Sequence, residues 1–229
     1  KLNTSWVQPN ETWDSAVADF IAKILDPSPR NRFLESFIPL VEQVALAGAI
    51  NSLAQTLLKL TAPGVPDIYQ GNEIWDFSLV DPDNRRPVDY AQRQKMLDGL
   101  NDASPEDLLG NWRDGRIKLF LTHRLLAFRR ENADLFRNGS YVPLAVAGDH
   151  ADCAIAFARE FAGKRIVVLA PRLSSRVGFP PLGSAWGDTA LQLPAESGML
   201  RDLFTDQTAE GNPLRLADAF AHLPFAVLM

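Results

Sequence analysis

The amino-acid sequence predicts an α/β plus all-β chain: a helix-rich α/β part over residues 1–138 and an all-β part over residues 139–229. Three observations predict it. Apolar residues recur at three-and-four spacing as far as about Leu135, the mark of helices with one buried face. Asn138-Gly139 then breaks the pattern. Beyond Ser140 come short β-like runs, most of them separated by glycine, proline or aspartate, as in an antiparallel sandwich. Both parts fall within the usual size of a domain.

Asn10 suits an N-cap, and Trp13, Val17, Phe20, Ile21, Ile24 and Leu25 behind it predict a helix with one buried face. Asp26-Pro27-Ser28-Pro29 stops it. A second helix is expected from about Asn31 to Leu60, carrying Phe33, Phe37, Leu40, Val41, Val44, Leu53, Leu57 and Leu58, with Pro39 and Gly48 as kinks. Val65 to Gly71, too short for a helix and bounded by proline and glycine, reads as a buried strand after that helix. Asn72 to Tyr90 lacks either periodicity and reads as a long ordered loop. Helices follow over about Tyr90–Leu100 and Ile117–Leu135. Strands are expected at Tyr141–Val146, Cys153–Arg159, Arg165–Leu169, Thr189–Leu193, Leu200–Phe204 and Ala221–Leu228.

With 229 residues and 46% hydrophobic content the chain can bury a core. Its 23 basic and 28 acidic residues leave a formal charge of −5, which offers no broad cationic surface to nucleic acid or anionic lipid. The single cysteine, Cys153, lies in an apolar run and reads as a buried strand residue in a reducing compartment. No apolar stretch approaches the roughly 20 residues that cross a bilayer, and the start lacks a signal layout, so a soluble cytoplasmic protein is expected. The opening at Lys1, without methionine, reads as the middle of a longer protein.

Chemistry concentrates in one stretch. Gly64 to Asp76 and Asp81 to Tyr90 crowd carboxylates, guanidiniums and aromatic rings into a loop that follows a short strand, a common place for substrate contacts. Asp83, Arg85, Arg86 and Asp89 could hydrogen-bond sugar hydroxyls while Tyr69 or Trp75 stacks on a pyranose ring. The alternative is an ion-pair network that only holds the loop. Glu73 with Asp76 or Asp81 favours positioning over a catalytic acid–nucleophile pair, because spacing alone cannot establish the latter. His123, His150 and His222 are scattered, which argues against a metal site, and His123 is expected to be a packing residue on the apolar side of its helix. Ser174 and Ser175 lack a nucleophile elbow, and no phosphate-binding glycine loop occurs.

The run Asn51 to Thr61, then Pro63 to Gly71, then Ser78 to Asp89, resembles the maltooligosyltrehalose synthases of the α-amylase superfamily, glycoside hydrolase family 13, as do Thr4-Ser5-Trp6 and Pro9-Asn10. The Pro63-Gly64-Val65-Pro66-Asp67-Ile68-Tyr69-Gln70-Gly71-x-Glu73 portion is similar to the eighth barrel strand of the whole superfamily; the continuation Asp81-Pro82-Asp83-Asn84-Arg85-Arg86 narrows the match. The resemblance implies the last helices and eighth strand of a (β/α)8 barrel, then an amylase-type β-sandwich. It implies an isomerase that turns the reducing-end α-1,4 linkage of a maltooligosaccharide into an α,α-1,1 linkage without a cofactor. It also implies a sugar-facing rim containing Tyr69, Gln70, Glu73, Trp75, Asp81, Asp83, Asn84, Arg85, Arg86 and Asp89. The three catalytic carboxylates of such enzymes belong to motifs that do not occur in this sequence, so the chain alone is expected to be inactive. Its expected partners are the rest of the barrel, a maltooligosaccharide and, for the isolated chain, itself. A related amylase-clan hydrolase or transferase, a glucan-binding module and a structural domain are the alternatives.

Overall fold

The computed structural model describes residues 2–80, 83–193 and 198–229. It divides into two compact units, residues 1–46 and 47–229.

In the first unit, Asn10 caps helix α1 (Glu11–Ile24) by accepting from the Trp13 amide at 3.1 Å. Thr4 buttresses that cap, donating to Asp14 and accepting from the Asn10 amide. Asn31 starts helix α2 (Arg32–Thr61) with its side chain, whose Oδ1 accepts from the Phe33 and Leu34 amides while its Nδ2 donates to the Ile24 and Asp26 carbonyls. The periodicity is right but the expected burial is not: α1 buries no residue, and Trp13, Val17, Phe20, Ile21, Phe33, Phe37, Leu40, Val41 and Val44 are all exposed. Helical spacing states that a face needs covering; it does not supply the cover. Helix α2 runs unbroken through Pro39 and Gly48.

By length and composition α2 can cross a membrane, contrary to the expectation from the sequence. Glu42, Gln43, Asn51 and Ser52 interrupt every apolar run, yet the aliphatic residues around them dominate the average. Beyond residue 46, however, α2 puts Ile50, Leu53, Leu57 and Leu60 into a protein core.

In the second unit α2 is followed by α3 (Tyr90–Asp98), α4 (Pro105–Gly110), α5 (Arg116–Glu131) and α6 (Ala133–Asn138). Strands β1 (Ser140–Pro143), β3 (Ala154–Phe161), β4 (Lys164–Pro171) and β9 (Ala226–Leu228) form an antiparallel sheet in the order β1-β3-β4-β9. Strands β2 (Val146–Ala147), β5 (Ala190–Leu191) and β8 (Leu214–Arg215) form a second sheet, and β6 (Leu200–Arg201) pairs with β7 (Thr208–Ala209). Helix α7 (Leu216–Ala219) lies between β8 and β9 in the chain.

Alternation along the long sheet explains its burial on both faces. Phe157, Ile166, Val168, Ala170 and Val227 join a core with Leu53, Leu57 and Leu60 of α2 and with Leu108, Leu121, Leu125 and Phe136. Ala156, Val167, Leu169, Ala226 and Leu228 face a second core around Trp186, Leu191, Leu214 and Phe220. Helices thus cover one face of the sheet, and the strands on the other side are two residues long. The change of texture near residue 138 falls inside one packed core.

Two further expectations are corrected. Val65 to Gly71 forms no strand, and Val65 is fully exposed: an extended segment becomes a strand only when a neighbouring strand pairs with its amides and carbonyls, and no described strand does so here. His123 is exposed, because α5 turns Ile117, Leu121 and Leu125 inward instead.

Candidate functional site

The chain leaves α2 at Thr61 and passes through Gly64 into the polar stretch singled out from the sequence. Three fixtures hold that stretch. At Trp75 the indole Nε1 donates to the Trp112 carbonyl at 2.6 Å, and the two rings meet edge to face at 6.4 Å. Lys118 donates to the Ile74 carbonyl at 3.2 Å and lies 5.7 Å from the centre of the Trp75 ring. Gly115, at φ +81°, permits this approach: a Cβ there would stand 3.0 Å from Cβ of Ile74 and 3.3 Å from the Trp75 nitrogen.

The second fixture is Arg93 on α3. Its Nε lies 2.6 Å from Glu73 Oε1, a half-buried ion pair whose N–H is not aimed well enough for a hydrogen bond. The same guanidinium donates to the carbonyls of Gly71 at 3.1 Å and Asp89 at 3.2 Å, tying the two ends of the loop together. The third is Asp89, which caps α3 by accepting from the Gln92 amide at 2.8 Å.

Between these fixtures, Asp83 accepts from the exposed Arg86 at 2.6 Å in a one-turn pair, and Asp76 accepts from both the hydroxyl and the amide of Ser78. Those hydrogen bonds hold the Asp76 carboxyl below the usual aspartate range. Burial pushes the Lys118 ammonium below the usual lysine value; Lys59 acts in the same direction, and Asp76 and Glu73 oppose it. Asn84 buries its carbonyl oxygen without a hydrogen-bond partner. Arg85 and Gln70 are exposed, and Asp81 lies outside the described residues.

Tyr69 is half exposed. It lines a cavity of about 400 Å³ with Gln55 and Lys59 of α2, Asp67, Asn72 and Lys118. The structure therefore brings Glu73, Trp75 and Asp89 together through Arg93 and Lys118, which the sequence reading missed. It puts Tyr69 in a recess that shares Lys118 with the Trp75 fixture, and Asp83 and Arg86 on each other. One signal for Lys118 was available: a lysine inside Ile117-Lys118-Leu119-Phe120-Leu121 needs a buried partner. Among the described residues no three His, Cys, Asp or Glu side chains come together as metal ligands would.

Fold and site together define a segment of mixed helix and antiparallel sheet, with a pinned polar loop between its helices. No protein-family model matches it. Over 99% of its length, however, the chain is 35% identical to provisionally named maltooligosyl trehalose synthases of Mycobacterium tuberculosis strains CDC 1551 / Oshkosh and H37Rv, and it spans 26% of each. The solved structure of maltooligosyltrehalose synthase from Arthrobacter ramosus aligns with a TM-score of 0.78 at 34% identity, over 99% of this chain and 28% of that one. A crystal structure of another maltooligosyl trehalose synthase aligns with a TM-score of 0.74 at 28% identity, over all of this chain and 28% of that one. The chain is thus a homologue of part of the maltooligosyl trehalose synthases, spanning about a quarter of the length of the relatives it matches.

Proposed function

We propose that the chain serves as the C-terminal part of a cytoplasmic maltooligosyltrehalose synthase, which isomerises the reducing-end α-1,4 linkage of a maltooligosaccharide to α,α-1,1. The observation that carries this reading is the match along 99% of the chain at 34–35% identity with a TM-score of 0.78. In this reading α2 and α5 belong to the outer layer of a (β/α)8 barrel. Val65 to Gly71 pairs as its eighth strand once the other strands are present, and the long antiparallel sheet belongs to the C-terminal sandwich. The apolar faces of α1 and α2 support a covering by the remainder of the barrel.

The site geometry supports a division of labour. Tyr69 is the half-exposed ring and Gln70 an exposed amide, so these two are the groups offered to a sugar. Glu73, Trp75, Asp83, Arg86 and Asp89 already have partners within the chain and hold the rim that presents them. Catalysis by an aspartate nucleophile, a glutamate acid–base and a third aspartate is assigned to the part of the synthase outside this chain, through a covalent glycosyl intermediate. The freed glucose must then rotate and attack before water does, which a pinned rim favours.

The test is product analysis of the complete protein on maltopentaose. Loss of reducing ends without chain shortening is expected. Release of reducing sugar would instead indicate an amylase-clan hydrolase. The 229-residue chain alone is expected to leave maltopentaose unchanged and to give no heat of binding in calorimetry; micromolar binding would make it a glucan-binding module.

A further inference from the structure

Two guanidiniums meet where α2 ends. Arg159, on β3, is 1% exposed and has no carboxylate partner among the described residues. All its hydrogen bonds go to backbone carbonyls: Nε to Ser140 at 2.9 Å, Nη1 to Thr61 at 2.9 Å, and Nη2 to Phe136 and Gly139 at 3.0 Å and Leu135 at 3.3 Å. Arg129, on α5, donates to the Leu60 carbonyl at 2.6 Å and lies 4.5 Å over the Phe136 ring. Leu60 and Thr61 close α2, while Leu135 and Phe136 belong to the last turn of α6. Such terminal carbonyls lie at the negative end of the helix dipole; the Gly139 amide also donates to that of Leu135, at 3.0 Å.

Burying a guanidinium without an anion is costly, and an apolar side chain of similar volume fills a core at less expense. What the arginine adds is direction. Its planar fork of donors fixes the Thr61 carbonyl relative to those of Ser140 and Gly139. The polar loop begins at the next residue, Ala62, and reaches Tyr69 within eight residues.

We propose that Arg159, seconded by Arg129, is a positioning residue through which the β region fixes the end of α2 and hence the take-off of the loop bearing Tyr69 and Glu73. The inference rests on reading that loop as substrate-facing; the clamp itself does not. The hold therefore reaches the loop from the strand side of the molecule, through the main chain of α2, and independently of Trp75 and Arg93.

Hydrogen exchange of the full 229-residue chain tests the clamp. In Arg159→Met, and less in Arg159→Lys, exchange over residues 58–72, which include the hydrogen-bonded Ala62 and Asn72 amides, should quicken roughly tenfold or more, while β4 amides keep their rates. Equal acceleration in β4 and over 58–72, or none in either, would overturn the proposal. If Arg159→Met does not fold, Arg129→Met carries the same test, since it removes a single bond at Leu60. In the complete protein Arg129→Lys should raise KM for maltopentaose several-fold with an unchanged unfolding midpoint. Faster loop exchange with unaltered KM and kcat would leave the clamp standing and remove the substrate-facing reading of the loop.

Discussion

Helix α2 meets two different fates along its length. Up to residue 46 its large apolar side chains, Phe33, Phe37, Leu40, Val41 and Val44 among them, are exposed; beyond it Ile50, Leu53, Leu57 and Leu60 are 0–1% exposed. Both halves carry the same helical spacing of apolar residues. The difference teaches that a periodic apolar stripe records what a helix is meant to pack against, whereas burial depends on whether that surface is present. The buried half also has local support: Thr61 returns a hydrogen bond to the Leu57 carbonyl, and Arg129 and Arg159 satisfy the last carbonyls.

The largest expected effect follows directly. Leu57→Ala, at 0% exposure, should cost about 2–5 kcal/mol in denaturant unfolding, whereas Phe37→Ala in the same chain should change stability by no more than about 0.5 kcal/mol. In the complete protein Phe37→Ala should become costly as well. An equal loss in both variants of the isolated chain would mean that the exposed half is already packed in solution.

The pinned loop sharpens the comparison next. Gly115→Ala places a side chain at φ +81° and against Ile74 and Trp75, so it should cost about 1–3 kcal/mol and loosen the Trp75 fixture, read as a red-shifted tryptophan emission. Wild-type stability would show that the loop moves aside freely. The apolar stripes offer a weaker effect. Light scattering should show the isolated chain self-associating as concentration rises, and Phe20→Glu with Phe37→Glu should reverse it. A wild-type monomer throughout would mean that the stripes need no cover.

Most helices were legible because caps and periodicity act locally: Asn10 and its apolar followers suffice for α1, and Asn138-Gly139 marks the end of α6. Helix α4 was equally local, with Ser104 capping and Pro105 opening it, but its one turn and a half hides between longer patterns. Strands were legible where they are long, as at Ala154–Phe161, and not where two residues pair, as at Thr208–Ala209, because pairing is decided by a distant partner. Val65 to Gly71 failed as a strand for the same reason. In the site, composition pointed to the right loop, but the residues that pin it, Arg93, Lys118 and Gly115, lie up to 44 positions away from their partners. Arg159 lay beyond the reach of pattern altogether, since nothing in Ala156-Phe157-Ala158-Arg159 announces five carbonyls from three other segments.

The smallest effect isolates one hydrogen bond in the least buried part of the loop. Asp76 is held below its ordinary value of 3.8 chiefly by the Ser78 hydroxyl, then by the Ser78 amide, with Lys118 and Arg86 contributing through charge. A carboxyl depressed in the folded state lends stability above its unfolded value and loses it as pH falls through the folded one. Because Asp76 is exposed, solvent screens that contribution, and its loss as pH falls below 3.8 should barely move the unfolding midpoint. The titration itself should respond. Followed by carboxyl NMR, Asp76 should titrate below 3.8 in the native chain and move upward in Ser78→Ala, which removes the hydroxyl and keeps the amide. An unmoved midpoint would shift the cause to the charges of Lys118 and Arg86, and would tie this end of the loop to the buried lysine instead of to its own turn.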